Sequence, residues 1–179
     1  MAFVKRNGRM RRAGLALIAA LAFGGGSSEA QQTTPVPQVI TLALNARYPG
    51  WTFPMVLPKV AATFRGKAYL PNFVFGDYDG DRRRDYAVRI VTGKAPERMQ
   101  TVIAFMAKGQ TFEPHFLDTM PEDPSSYLWP AAKGAKDHDY ESNKDFVYAN
   151  DAIMFLIDEK GGVSFIFEKG EFRRVVTSD

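Results

Sequence analysis

The last part of the chain decides the fold, where residues 152–177 read AIMFLIDEKGGVSFIFEKGEFRRVVT. Three strand-like runs lie in this stretch: Ala152–Asp158, Gly162–Glu168 and Phe172–Thr177. They are rich in β-branched and aromatic residues, and short glycine-containing turns at 159–161 and 169–171 separate them. Strand runs joined by such turns are typical of consecutive hairpins. The stretch therefore predicts an antiparallel meander.

Further strands are expected upstream of this meander. Asn72–Gly76 is apolar and aromatic, and Tyr86–Thr92 alternates in part. Thr101–Ala107 and Thr111–Leu117 flank Lys108-Gly109-Gln110, which is a hairpin signal. The sequence thus continues the meander towards its N-terminal side.

Helical periodicity occurs before the strands. Val39–Arg47 carries apolar residues at spacings of one, three and four, and Pro49-Gly50 would end a helix there. Pro54–Ala68 is expected to be an irregular connection or a short strand, because prolines interrupt it. Thr119–Asn150 is polar and reads as a long surface loop with room for a short helix. The predicted fold class is α+β, an antiparallel β-sheet meander of about six strands with one or two short helices.

The first thirty residues have the order of a signal peptide. Five basic residues precede an apolar run over 13–23, and Ser28-Glu29-Ala30 resembles a small-x-small cleavage site. The apolar run is shorter than the roughly 20 residues that span a bilayer. We therefore expect a signal peptide over 1–30, a flexible lead-in over 31–37 and a single globular domain over 38–179. Arg11-Arg12 leaves the export route, general or twin-arginine, open.

Removal of the leader changes the charge of the chain. The chain has 23 Lys and Arg against 20 Asp and Glu; residues 1–30 hold five and one of these, which leaves 18 against 19. A near-neutral body argues against nucleic acid as a partner. No cysteine is present, so stability must come from a core, a metal or association. The chain is predicted to be periplasmic or secreted, with no membrane span after cleavage.

The residues 76–88, GDYDGDRRRDYAV, carry the sharpest chemical signal. Asp77, Asp79, Asp81 and Asp85 recur at close spacing between two strand-like segments. Calcium binds six to eight oxygens, and alternating carboxylates on a curled loop converge on one point. The predicted metal ligands are these four carboxylates and the backbone carbonyl of Arg83.

This string resembles the calcium loop of FG-GAP (VCBS, integrin-alpha-like) repeats, whose usual form is D-x-D-G-D-G-x-x-D. Asp77, Asp79, Gly80, Asp81 and Asp85 match that form. Arg82 stands where the family has a second glycine, and only one copy is present. The resemblance implies calcium chemistry in this loop, whereas a propeller, which needs several repeats, is not expected.

The alternative is a solvated turn in which the aspartates pair with the arginines at 82–84. A second feature is His138, which lies among acidic residues that include Asp139 and Glu141. These three residues could serve a periplasmic or secreted hydrolase. The Arg82–Arg84 triplet could bind an anionic glycan or lipid head group.

The leading prediction is an exported, non-enzymatic module with a calcium-stabilised loop. Its expected partner is an envelope or extracellular protein or glycan. No nucleophile elbow, phosphate-binding glycine loop or HExxH motif accompanies the loop, and the only histidines are His115, expected in a strand, and His138.

Overall fold

A computed structural model describes residues 36–178. The predicted signal peptide and residues 31–35 of the predicted lead-in lie outside the described residues. Within the described range the chain forms two helices, α1 (Gln38–Arg47) and α2 (Pro58–Thr63). The same range forms ten strands: β1 (Phe73–Gly76), β2 (Asp85–Thr92), β3 (Met99–Lys108), β4 (Thr111–Pro121), β5 (Ser126–Ala131), β6 (Lys136–Asp139), β7 (Lys144–Val147), β8 (Ala152–Ile157), β9 (Gly161–Glu168) and β10 (Glu171–Ser178).

The strands of residues 36–178 form three antiparallel sheets. The first sheet has the order β1-β2-β3-β4 and the second has the order β10-β9-β8-β5, while β6 and β7 form a separate two-stranded hairpin. The prediction of a β-rich, antiparallel chain with one or two short helices is confirmed. The prediction of one meander of about six strands is wrong, because the chain divides its strands between two large sheets and a hairpin.

The main core lies between the two large sheets. One cluster of buried side chains draws on both sheets: Val74, Ala87, Val102, Ala104 and Met106 from the first, and Leu128, Ile153, Phe155, Val163 and Phe165 from the second. Alternate residues of each strand point to one face of its sheet, so each strand supplies every second side chain to this core. The two sheets therefore pack face to face as a sandwich.

Helix α1 covers the outer face of the first sheet. Its buried residues Ile40 and Leu44 are four positions apart and thus share one face of the helix. They pack against β-strand residues that point away from the main core, among them Val88 and Ile90. Burying side chains of this size contributes about 1.5–3 kcal/mol each. The predicted N-terminal helix is confirmed.

The region expected to be an irregular connection or a short strand contains α2. Pro58 occupies the first turn of this helix, where a missing N–H costs nothing because the first amides of a helix have no partner within it. Phe64, just beyond the helix, packs edge-on against Tyr69, Tyr127 and Trp129. Pro58 therefore begins a helix where it was expected to interrupt regular structure. Phe64, just after this helix, packs on β5.

The prediction of a long surface loop over Thr119–Asn150 is also wrong, since β5, β6 and β7 lie there and no helix does within this stretch. β5 lies at the edge of the second sheet and carries Pro130. β4, which carries Pro114, is likewise an edge strand of the first sheet. Edge strands accept proline because one side of the strand has no ladder to lose.

The β6–β7 hairpin packs on the outer face of the second sheet. Tyr148, just after β7, is buried with Ala131 and Ala152. Its hydroxyl lies 2.6 Å from the Asp137 carboxylate and 2.7 Å from Ser164 Oγ. The polar hairpin is thus attached through one buried tyrosine whose hydroxyl is satisfied on both sides.

A buried arginine joins the two sheets at one end of the sandwich. The Arg89 side chain on β2 is fully buried. Its Nε and Nη2 atoms donate to Asn72 Oδ1 at 2.9 and 2.7 Å, and Nη1 donates to Gln100 Oε1 at 2.9 Å and to Ser126 Oγ. Burial lowers the pKa of Arg89 to about 10, so the guanidinium stays protonated at neutral pH. One cation thereby links β2 and β3 of the first sheet to β5 of the second.

We expect Arg89→Met to lower the free energy of unfolding by about 3 kcal/mol, because it leaves the Asn72 acceptor unsatisfied and removes the hydrogen bonds to Gln100 and Ser126. Urea denaturation measures the change. Lys108→Met is the matched control, since Lys108 is exposed and pairs only with Glu113 on the neighbouring strand; its midpoint should stay close to that of wild type. Equal midpoints for the two variants would contradict the linking role of Arg89.

Candidate metal centre

The aspartate loop, residues 77–85, connects β1 to β2 at one end of the first sheet. These strands pair so that Gly76 lies opposite Asp85, which brings the two ends of the loop together. Gly80 has a φ of 80° and Arg82 a φ of 69°. Arg82 occupies the position where the FG-GAP pattern has glycine, and it adopts the left-handed conformation that glycine would adopt more easily.

Backbone amides inside the loop are bound by its own carboxylates. The Asp81 N–H donates to Asp79 Oδ1 at 3.1 Å, and the Arg82 N–H donates to Asp77 Oδ2 at 3.0 Å. Such bonds favour a curled loop, because the acidic side chains replace the backbone partners that a strand would supply. The curl turns the carboxylates of Asp77 and Asp79 towards the start of β2.

Three of the predicted ligands converge. Asp77, Asp79 and Asp85 each offer a carboxylate oxygen, and these oxygens lie within 4.8 Å of one another. Calcium–oxygen distances are about 2.3–2.6 Å, so oxygens on one ion can lie up to about 5 Å apart. Asp77 Oδ1 is buried and has no hydrogen-bond partner. The spacing and the unpaired oxygen both fit a hard cation.

Asp81 lies apart from this group and pairs with an arginine. Its Oδ2 accepts from Arg83 Nε at 2.6 Å and lies 2.5 Å from Nη2. The hydrogen bonds from Arg83 lower the pKa of Asp81. The alternative interpretation, in which aspartates of the turn pair with arginines, therefore holds for Asp81 and Arg83. The other three aspartates converge instead. Arg84 takes a different position, with its guanidinium 4.5 Å from the centre of the Phe75 ring.

Asp85 has a structural role in addition to its place in the group. Its side chain is buried, and its two oxygens accept from the Tyr78 N–H at 2.9 Å and from the Ala107 N–H at 2.7 Å. Desolvation raises the pKa of Asp85 to about 6, although both backbone hydrogen bonds act to lower it. Asp85 thus joins the loop to β3. A cation beside it would stabilise its ionised form.

Asp151 also contacts the loop, and sequence reasoning missed it. The Asp77 N–H donates to Asp151 Oδ2 at 3.0 Å, and the Asp151 N–H donates to the Asp77 carbonyl at 3.2 Å. A Cβ atom on Gly76 would lie 2.9 Å from the Asp151 Cβ atom, which is too close for any side chain there. The two aspartates are 74 positions apart, so no local spacing signals the contact.

No protein-family model, curated protein or solved structure matches this chain. The likeness to the FG-GAP calcium loop stays a prediction based on residues 76–88. Any conclusion about function must therefore come from the chemistry of the side chains.

The side chains of the hydrolase alternative form no common hydrogen-bonded set, although the Glu141 N–H donates to Asp139 Oδ1 at 3.0 Å. His138 Nδ1 lies 2.7 Å from Asp145 Oδ1, across the β6–β7 hairpin. The Asp139 carboxylate accepts from the hydroxyl and the amide of Ser142 in the hairpin turn. Glu141 lies 3.9 Å from Arg174.

His138 lines an open groove of about 530 Å³ together with Lys136, Asp137, Asp145, Phe146 and Val147. The other histidine, His115, lies in β4 as expected and contacts the rings of Phe167 and Phe172.

A chelator separates the structural role of Asp85 from the metal-binding role that it is predicted to share with Asp79. With a chelator present, we expect Asp85→Asn to lower the free energy of unfolding by about 2–3 kcal/mol, because an amide cannot accept both buried N–H groups. Asp79→Asn should change stability little under the same conditions, since Asp79 accepts only one exposed amide. Urea denaturation in the chelator compares them. Equal losses would show that Asp85 is not the structural anchor.

The His138–Asp145 pair generates a pH prediction. The hydrogen bond that His138 donates to the Asp145 carboxylate raises the pKa of His138 above its usual 6.5. The contribution of the pair to stability is thus fully present below pH 6.5 and is lost as the pH rises through the folded-state pKa. Proton NMR titration of the His138 ring should show a lower pKa in Asp145→Asn than in wild type. A His138 titration unaffected by this substitution would contradict the pairing.

Proposed function

We propose that this chain is an exported, non-enzymatic module that binds one Ca²⁺ through the carboxylates of Asp77, Asp79 and Asp85. The observation that carries the proposal is the convergence of these oxygens on one point, together with the buried, unpaired Asp77 Oδ1. Calcium is the favoured ion because it accepts carboxylates in irregular geometry, whereas Mg²⁺ requires near-ideal octahedral geometry and keeps several waters.

The electrostatics of the loop support a cation. Three carboxylates whose oxygens lie within 4.8 Å of one another repel one another when all are ionised. A divalent ion between them would turn this repulsion into attraction and stabilise the ends of β1 and β2. The role of the ion is thus to stabilise the sheet from which the loop emerges.

Asp81 and the carbonyl of Arg83 are the two further ligands that the sequence predicts. Asp81 Oδ2 contacts both Nε and Nη2 of Arg83, and this contact must break for that oxygen to join the ion. The arginine therefore competes with calcium for one carboxylate and also places a positive charge beside the site. Both effects lower calcium affinity.

The leader over 1–30 supports the exported location, periplasmic or secreted. Among residues 36–178, neither helix is long and apolar enough to cross a membrane. The proposed partner is an envelope or extracellular protein or glycan. The non-enzymatic assignment is supported by the side-chain partners of His138, Asp139 and Glu141, which are Asp145, Ser142 and Arg174 respectively.

Calorimetric titration with calcium chloride tests the proposal. We expect saturable binding at one site by the wild-type chain, and stabilisation by about 2.7 kcal/mol when free calcium is 100-fold above the dissociation constant. Asp79→Asn should abolish this gain, because it removes a ligand charge without removing a buried contact. No heat of binding and an unchanged melting temperature with and without EDTA would defeat the proposal.

Arg83→Gln and Arg84→Gln provide a matched pair within this experiment. Each removes one positive charge from the loop, but only Arg83→Gln also releases Asp81. We expect both variants to bind calcium more tightly than wild type, with the larger gain in Arg83→Gln. Equal gains would mean that Asp81 takes no part in binding.

A further inference from the structure

A polar contact connects the aspartate loop to a distant part of the chain. After β5 the chain leaves the second sheet, forms the β6–β7 hairpin and returns at β8; residues 132–150 are called the excursion below. Ala131 and Ala152 pair where the excursion leaves and rejoins the sheet. Asp151 lies at this junction, and the aspartate loop lies beside it.

Asp151 binds both segments with one carboxylate. Its Oδ2 accepts from the Asp77 N–H at 3.0 Å, and its Oδ1 accepts from the Lys133 N–H at 2.9 Å. Because its own N–H donates to the Asp77 carbonyl at 3.2 Å, the backbone of Asp77 is bound on both sides. The position from which the Asp77 side chain reaches the ion is thereby set by a residue outside the loop.

A second contact follows the first. The position of a Cβ atom on Gly80, at the tip of the loop, is 2.7 Å from Asn150 Oδ1. Any side chain at residue 80 would therefore collide with Asn150, as well as being strained by the φ of 80° there. The loop therefore contacts this part of the chain twice: Asp77 at its start contacts Asp151, and Gly80 at its tip contacts Asn150.

The contact continues into the excursion. The Gly134 N–H donates to the Tyr148 carbonyl at 2.9 Å, and the Tyr148 N–H donates to the Ala135 carbonyl at 3.0 Å. These bonds lie directly beyond Lys133 and bring the two arms of the excursion together below the hairpin. Backbone hydrogen bonds therefore connect the segment bound by Asp151 to the base of the hairpin.

We propose that Asp151 is a positioning residue for the calcium loop, and that calcium bound at Asp77 orders the excursion through it. This inference rests on the proposed function. Coupling of this kind is reciprocal, so any change that orders the excursion would raise calcium affinity by the same factor. Calcium would then order the base of the β6–β7 hairpin, in addition to stabilising the first sheet.

The first test uses the wild-type chain and follows hydrogen exchange with calcium chloride or EDTA. Calcium should slow exchange at the amides of Lys133, Gly134 and Tyr148 as well as in the aspartate loop. Slower exchange confined to residues 77–85 would overturn the inference while leaving calcium binding intact. A wild-type chain that binds no calcium would instead defeat the proposed function, so the two failures are distinct.

The second test compares Asp151→Asn with Asp145→Asn. Both remove one negative charge, but Asp145 pairs with His138 and is 92% exposed at its side chain. Asp151→Asn should weaken calcium binding about tenfold, since an amide cannot accept from both N–H groups, and should leave Lys133 exchange insensitive to calcium. Asp145→Asn should keep the calcium affinity of wild type and the calcium response of Lys133 exchange. A lower melting temperature in EDTA with unchanged calcium affinity would assign Asp151 a structural role only and overturn the inference.

Discussion

Strand β2 has to bury two ionised side chains on the face that it presents to the core. Asp85 and Arg89 lie four residues apart, with Ala87 between them in the main cluster. A buried charge is stable only when hydrogen bonds replace its lost water. Asp85 obtains them from two backbone amides, and Arg89 obtains them from neutral side chains on three segments. Each charge therefore requires its neighbours to lie in one arrangement.

These requirements divide the sandwich into three zones. Apolar side chains fill the middle, the Arg89 network closes one end, and Asp85 and the aspartate loop close the other. The Arg89 end needs no further partner for its cation, because Asn72, Gln100 and Ser126 surround it. The acidic end gathers three carboxylates and leaves Asp77 Oδ1 and the Tyr78 hydroxyl buried without a hydrogen-bond partner. The Arg89 end leaves Gln100 Nε2 unpartnered as well, but it gathers no carboxylates, and this is why the acidic end is the candidate for binding an ion.

Much of the fold could be predicted because its signals are local. The spacing of Ile40 and Leu44, the turn at Gly109 and the three final strands each depend on neighbours in sequence. α2 and β5 were missed, because Pro58 and Pro130 read as breaks although a helix start and an edge strand both accept proline. The candidate site could likewise be predicted only in part. The acids at 77, 79 and 85 follow from their spacing in sequence, whereas the contact with Asp151 forms only when two distant segments fold together.

The prolines of the outermost strands have a consequence beyond the single molecule. An exposed strand edge can recruit a strand from another chain and so start a fibril. Pro114 in β4 and Pro130 in β5 each remove an amide donor from such an edge. A growing intermolecular ladder would lose a hydrogen bond at both places, whereas the edge strands β1 and β10 carry no proline and offer no such interruption.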